Sequence, residues 1–545
     1  MPQLSLGLDS STQSLTAVVV DIEKRQVVYE KSLDYREDKR FSCFGLNSEY
    51  ILPPREPGEA NQPAALYFAA LDAIFSDMQN EFPDYGLSIK DIVVINTSGQ
   101  QHGHALFHKT AEQQFKQLNQ SDFSPDDNLV AFLGDSLALP YARIWKTAHT
   151  AALANEVREA VGGKAAIIEL SGSDAPWRFS AFGIMKTALE HPEEYANSRV
   201  IHQISSITPA VLVGSVDIPL DYGNACGTSL MNYREKTWSP ELIRAVGQGL
   251  PGGPASLQKK LPPLESSNTL VGTICNYFVH KYGFNPDCSI GVGSGDNPQP
   301  KVLVTGSLLS LGSSFVIMIE TDGHSFDQRG YTNVMYDAFD RPFMFGCRTN
   351  GALSWDRVRA MHGLEKQDYA PGESALKNTP CGNTGRVFLW HVNKESFPVS
   401  DAFGPIRIGY DQEDFAADYV GVIESTLASI YLNSQYFMSP GESIYVAGGS
   451  TASPEIMRRV AGIFNRNVIP IETGGAALGA AVSGAYALLL SQGKGNDPGQ
   501  FGSSFLPSKD ALPSRTADVA AYHGEGGFLE AFEKAETKWL AAHPG

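Results

Sequence analysis

Leu4-Ser5-Leu6-Gly7-Leu8-Asp9-Ser10-Ser11-Thr12-Gln13-Ser14-Leu15 begins with alternating apolar residues and runs into a carboxylate, three hydroxyls and an amide. Around it, residues 4–9, 15–21 and 27–33 are short segments, β-branched or alternating, separated by polar turns. That pattern predicts antiparallel hairpins at the start of the fold. Residues 63–79 then place Leu66, Ala70, Leu71, Ile74 and Phe75 at helical spacing, with Pro63 suited to a first turn. Ile92-Val93-Val94-Ile95 predicts a compact strand ending at Ser98-Gly99. Hairpins followed by alternating helix and strand predict a mixed α/β domain.

The later chain repeats the vocabulary. Residues 288–293 and 302–306 read as strands and residues 308–320 as a hairpin-like pair. Residues 443–446 predict a strand, 447–450 a turn, 454–464 a helix, 468–471 a strand and 476–490 a helix. Residues 491–514, rich in Gly, Ser and Pro, read as a loop or linker. A last helix carries Phe528, Phe532, Ala535 and Trp539 on one face and is expected to dock. Ser310-Leu311-Gly312-Ser313-Ser314 echoes Asp9-Ser10-Ser11-Thr12, both being small-residue turns between apolar strands, as a duplicated domain would give.

The 545 residues allow two large domains or three average ones. With 42 Lys+Arg against 60 Asp+Glu the net charge is −18, and no run of basic residues breaks it. This speaks against nucleic acid and anionic lipid as partners. Six scattered cysteines without a Cys-x-x-Cys pair read as reduced, mostly buried thiols. Residues 474–490 form the most membrane-like stretch, but Gly, Ala and Ser483 make it a buried helix packed through small residues. The first residues lack a basic region followed by an apolar core, so no signal peptide is expected and the location is expected to be cytoplasmic.

A carboxylate at a strand end, followed by hydroxyls and turn amides, suits a hydrated Mg²⁺ and a nucleotide phosphate; an ordinary polar hairpin turn has the same composition. No Gly-x-x-x-x-Gly-Lys-Ser/Thr motif occurs. Gly291-x-Gly293-x-Gly295 misses the dinucleotide spacing and is followed by Asp296, which would repel a pyrophosphate. Asp296 itself could accept a proton from an attacking hydroxyl or could cap a helix before Asn297-Pro298. Ser98-Gly99-Gln100-Gln101-His102-Gly103-His104 gathers amides and imidazoles suited to a polyol. Arg178, between Trp177 and Phe179, is a candidate sugar ligand or a surface cation. Gly448-Gly449-Ser450 and Gly474-Gly475-Ala476-Ala477 could admit a flat base or serve close helix packing.

Taken in order, these motifs resemble the FGGY family of carbohydrate kinases, and within it the eukaryotic-type xylulose kinases. The matching stretches include residues 7–13 and 98–103, Asp221-Tyr222 before Gly227, Gly295-Asp296-Asn297-Pro298, residues 310–314 and 447–450. The resemblance implies an α/β fold of two actin-like, ribonuclease H-like ATPase domains flanking a central cleft, here residues 1–300 and 301–545. It implies ATP and Mg²⁺ as cofactors, a small sugar as the other substrate, and a monomer or homodimer. By match, Asp9, Ser11, Thr12 and Gln13 form the first phosphate loop, with Asp9 toward the metal. Gly312, Ser313 and Ser314 form the second phosphate loop, and Gly448, Gly449 and Ser450 fall at the adenosine. His102, Arg178, Asp296 and Asn297 fall at the sugar, and Asp296 matches the catalytic base. The implied reaction transfers the γ-phosphate to a ketopentose, D-xylulose in the first instance. Ribulose, arabinitol, a hexulose or a non-catalytic regulator of the same fold are the alternatives.

Two departures bear on substrate and geometry. In Trp145-Lys146-Thr147-Ala148-His149-Thr150, Thr147 stands where the family pattern has an Asp, which predicts an altered grip on the sugar. The segment after Asp296 is shortened relative to the family and holds Pro298 and Pro300, which predicts a shortened or broken helix. Ser313 for the usual Thr keeps the hydroxyl.

Overall fold

The computed structural model describes residues 3–124, 126–365, 367–471, 475–507 and 509–544. The chain divides into two compact units. The first comprises Met1–Leu303, Val334–Pro342 and Gly474–Phe505; the second comprises Val304–Asn333, Phe343–Thr473 and Leu506–Gly545. Residues 334–342 and 474–505, which the sequence reading placed beyond the boundary at 300, therefore belong to the first unit.

The first unit is built on β1 (Leu4–Ser10), β2 (Ser14–Asp21), β3 (Gln26–Asp34), β4 (Ile92–Gly99), β5 (Leu270–Thr273), β6 (Ser289–Gly291) and β7 (Ser294–Gly295). The sheet order is β5-β6-β4-β1-β2-β3, with β7 also on β4. β1, β2 and β3 pair antiparallel, as the opening hairpins predict, while β1, β6 and β7 each lie parallel to β4. Alternation buries one side of β1 and β2 among the aromatic and aliphatic side chains of helix Ala65–Glu81.

The other side of β1 is covered by helix Gly475–Ser491. The contact is backbone on backbone: a Cβ added to Gly7 would lie 1.9 Å from the Ala477 carbonyl oxygen. Ser5 Oγ donates to the Ala481 carbonyl at 2.6 Å. A helix rich in Gly and Ala is what permits this approach, which answers to the expectation of small-residue packing. No helix among the described residues is long and apolar enough to cross a membrane.

The second unit contains β8 (Ser307–Leu311), β9 (Phe315–Glu320), β10 (Pro342–Arg348), β11 (Ile444–Ala447) and β12 (Val468–Pro470). Their order is β10-β9-β8-β11-β12, with β8–β9 and β9–β10 antiparallel and β8–β11 and β11–β12 parallel. The first unit runs β3-β2-β1-β4-β6 with the same directions. Each unit thus has the ribonuclease H-like strand plan, and the turns at 9–13 and 312–314 occupy equivalent places. Helix Phe528–Ala542 docks through Phe528, Phe532 and Ala535 on the core of the second unit.

Two local expectations are corrected. Residues 302–306 are not a strand: Val302, Leu303 and Val304 are buried as core, and a left-handed turn at Gly306 (φ 73°) delays pairing until Ser307. Residues 491–514 are not simply a linker. Pro498–Ser503 is a helix capped by Asp497, and its buried Phe501 takes the Arg25 guanidinium at 4.1 Å from the ring centre.

Candidate active site

Asp9, Ser98 and Asp296 stand at the carboxyl ends of three parallel strands. Asp9 pairs with Ser98 across β1 and β4, Ser98 pairs with Ser294 on β7, and the Asp296 amide donates to the Gly99 carbonyl at 3.0 Å. Ligands of parallel α/β sheets gather at this end, because the strand ends and following loops leave polar groups unpaired there.

Burial pushes the Asp296 carboxyl up to about 7, the Asp9 charge adding to the effect. Burial likewise raises Asp9 to about 6. Asp9 Oδ1 is buried without a hydrogen-bond partner, and so is Ser98 Oγ. An orphaned carboxylate oxygen beside a second acid fits a hydrated divalent cation, which would offset the cost of two charges in one place. Asn297 Nδ2 donates to Asp296 Oδ1 at 3.1 Å and to Gln101 Oε1 at 3.0 Å, so the acid is oriented from the loop of Gln101.

That loop carries His102, whose backbone lies in the left-handed region (φ 68°). Its Nδ1 meets the Gly227 carbonyl at 2.9 Å, and its ring stacks on Phe179 with centres 4.5 Å apart. Burial, reinforced by the nearby Arg178 charge, lowers the imidazole to about 3, so it is neutral. A neutral ring that donates from Nδ1 to a carbonyl keeps Nε2 as an acceptor. Arg178 lies over the Trp177 ring at 5.2 Å.

Asp221 holds the framework behind these groups. It is buried and caps helix Tyr222–Cys226 by accepting from the Gly223 and Asn224 amides, and it accepts from Ser294 Oγ at the strand end before Asp296. Gly227 follows that helix directly, and a Cβ there would meet His102 Nδ1 at 2.7 Å. Gly227→Ala is therefore expected to displace the imidazole, raising about tenfold the KM of whichever substrate hydrogen-bonds to His102 and leaving that of any other little changed. Steady-state kinetics with each substrate varied checks this.

The remaining candidates are placed as follows. Ser11 Oγ donates to the Ser14 carbonyl and accepts from the Ser14 amide at 3.1 Å, so its hydroxyl serves the turn. Thr12 Oγ1 donates to Gln100 at 3.1 Å, and Gln13 has an exposed side chain. Thr147, at the position of the expected Asp, is buried and donates to the Ala60 carbonyl at 3.1 Å. An Asp there would set two acceptors against each other, so the departure is built into local packing. After Asp296 the helix is a single turn, Pro298–Lys301, in keeping with its two prolines. The imidazoles of His104 and His108 take separate partners, Thr187 and Thr110.

In the second unit, Ser313 and Ser314 have exposed side chains, and the Gly312 and Ser313 carbonyls accept from Ala352 and Leu353. Gly448, Gly449 and Ser450 follow β11, the parallel neighbour of β8, and Ser450 Oγ reaches the Leu311 carbonyl at 3.4 Å. Gly474 lies outside the described residues. Phe179 under His102 and Ser294 on Asp221 are contacts that motif reading misses, since nothing local pairs residues so far apart in sequence.

Comparison with known proteins shows what the chain is similar to. The model for the N-terminal domain of the FGGY family of carbohydrate kinases matches residues 130–301. A protein described as "Probable D-xylulose kinase A" from Aspergillus terreus is 27% identical over 536 residues, covering 90% of both chains. Over residues 130–301 the chain is thus similar to FGGY carbohydrate kinases, and along most of its length to a protein named for xylulose phosphorylation. The xylulose kinase of Mus musculus is 27% identical over 504 residues, covering 88% of this chain and 84% of its own. Among solved structures, gluconate kinase from Lactobacillus acidophilus superposes with a TM-score of 0.80 at 17% identity, with 99% of each chain covered. At that identity it speaks for the FGGY fold alone. Sugar kinases of this family use ATP, the nucleotide expected here.

Proposed function

We propose that this chain transfers the γ-phosphate of ATP to a terminal hydroxyl of a ketopentose, D-xylulose, giving D-xylulose 5-phosphate. The observation that carries the reading is Asp296, a buried carboxylate at a parallel strand end, raised to about 7 and tied through Asn297 to Gln101, the residue before the neutral His102. The names of the Aspergillus and mouse relatives select xylulose among the sugars this set could hold.

In the reading, His102 Nε2, Arg178 and Asn297 hold sugar hydroxyls, and the attacking hydroxyl gives its proton to Asp296. Phosphoryl transfer through a loose transition state needs little activation of the nucleophile, so Asp296 orients the hydroxyl as much as it takes the proton. Asp9 would hold Mg²⁺ through water, and the cation supplies charge neutralisation at the phosphates when bound. Residues 9–13 and 312–314 contain no Lys or Arg. What they offer phosphate oxygens is main-chain N–H groups and the hydroxyls of Ser313 and Ser314, with residues 448–450 toward the adenosine.

ADP release coupled to a panel of pentuloses, hexuloses and polyols tests this. D-Xylulose is expected to lead in kcat/KM by on the order of tenfold or more. Equal turnover across the panel would remove the assignment to xylulose, and no sugar-stimulated ADP release would remove the kinase reading.

A further inference from the structure

We infer that Thr12 and Trp145 are a positioning pair that fixes the first turn against the strand end bearing the sugar-side imidazole; this rests on the kinase reading above. Trp145 Nε1–H donates to Thr12 Oγ1 at 3.0 Å, and the same hydroxyl donates its one proton to Gln100 Oε1 at 3.1 Å. The Thr12 side chain is therefore engaged inside the first unit, and the turn meets a phosphate with its main chain.

Gln100 has no freedom to follow a ligand. Its Nε2 donates to Gln62 Oε1 at 2.8 Å and to the Tyr67 hydroxyl at 3.1 Å, and that hydroxyl donates to Gln62 Oε1 at 2.7 Å. Gln62 Nε2 closes the circuit by donating to the Thr12 carbonyl at 2.8 Å. Gln62 and Gln100 are both fully buried. Thr12 is thus held at its hydroxyl and at its carbonyl by one network.

Trp145 comes from a loop that is itself tied down. The Ile144 amide and Thr147 Oγ1 both donate to the Ala60 carbonyl, and the Ala148 amide donates to the Gly58 carbonyl at 2.7 Å. His102 lies two residues beyond Gln100, and Asp9 lies three residues before Thr12. The sugar-side loop, the loop of Trp145 and the metal-side turn meet on one oxygen atom. A network of this kind, half-buried at Thr12 and Trp145 and fully buried at Gln62 and Gln100, transmits small displacements, because a move by one member leaves another unpaired.

Trp145→Phe keeps the aromatic packing and removes the N–H; Thr12→Val keeps the shape and removes the hydroxyl; Thr12→Ser restores it. Each of the first two is expected to lower kcat about tenfold while KM for sugar and for ATP stay within about twofold. The double variant is expected to be no worse than the worse single one, and Thr12→Ser to recover kcat. A structural role would lower the melting temperature with kcat per folded molecule unchanged, and would overturn the proposal. A rise in KM for ATP confined to Thr12→Val would put the hydroxyl on a phosphate and overturn it too.

A measurement independent of turnover is the Trp145 indole N–H resonance, identified by its loss in Trp145→Phe. Thr12→Val is expected to shift it and speed its exchange with water; an unmoved resonance would overturn the pair. If the wild-type protein releases no ADP with any sugar, the kinase reading falls and the indole measurement alone decides whether the pair exists.

Discussion

Asp296→Ala is expected to lower kcat on the order of 10²-fold or more while the protein stays folded. The acid stands at the end of β7, its amide is held by Gly99, and Asn297 orients one of its oxygens. Its carboxyl is held at about 7 rather than 3.8, first by burial and second by the Asp9 charge. The base form is the carboxylate, so kcat/KM of the wild type should fall as pH drops below about 7. The stability sign is opposite. Between pH 3.8 and about 7 the folded protein keeps a proton that the unfolded chain has lost, so this group's contribution to stability falls as pH rises through that window. Above it, the fold carries the full cost of a buried charge. Asp296→Asn should therefore lose turnover yet melt no lower than wild type at pH 8, which calorimetry can measure. Turnover near the wild-type level in either variant would remove Asp296 from the mechanism, and a sharp fall in melting temperature would make it a structural residue.

How far such a site can be read without coordinates is seen by comparing Asp296 with Thr12. The place of Asp296 is legible because its proposed role needs only a residue type at a strand end, and strand ends are marked by β-branched runs and glycines. Thr12 is legible as a hydroxyl but not as one already engaged, since its partners Gln100 and Trp145 lie 88 and 133 residues away. Thr147 is legible as a departure for which the sequence reading expects an altered sugar grip, but its partner is not, since the Ala60 carbonyl it holds lies 87 residues away. At the level of the fold, the period-2 pattern at residues 4–21 and the helical spacing at 63–79 are local and survive intact. The allocation of residues 474–505 to the first unit is not local. It depends on which sheet has a surface flat enough to take a Gly- and Ala-rich helix, and that is settled at Gly7.

Gly7→Ala is the substitution that tests this allocation, and a large loss of stability is expected from a single methyl group. The added carbon would lie 1.9 Å from the Ala477 carbonyl oxygen and 2.4 Å from the Ala481 nitrogen, both main-chain atoms of helix Gly475–Ser491. A flexible side chain could turn away; a helix backbone cannot, so the helix must lift off β1 as a body. Its other close contacts oppose that: Ser483 Oγ donates to Gln299 at 2.8 Å, and Gly484 lies against Asn96 of β4. Overpacking costs typically 1–3 kcal/mol, and backbone against backbone belongs at the upper end. About 3 kcal/mol would lower the melting of the first unit by ~4 °C. Gly249→Ala, where the added carbon meets no atom within 4 Å, is the matched control and should leave the melt unchanged. Turnover should fall with stability, because β1 carries Asp9 two residues further on, and a displacement of order 1 Å at a reacting group costs about 10²-fold. If Gly7→Ala melts and turns over like Gly249→Ala, helix 475–491 does not lie on β1, and the assignment of residues 474–505 to the first unit is wrong.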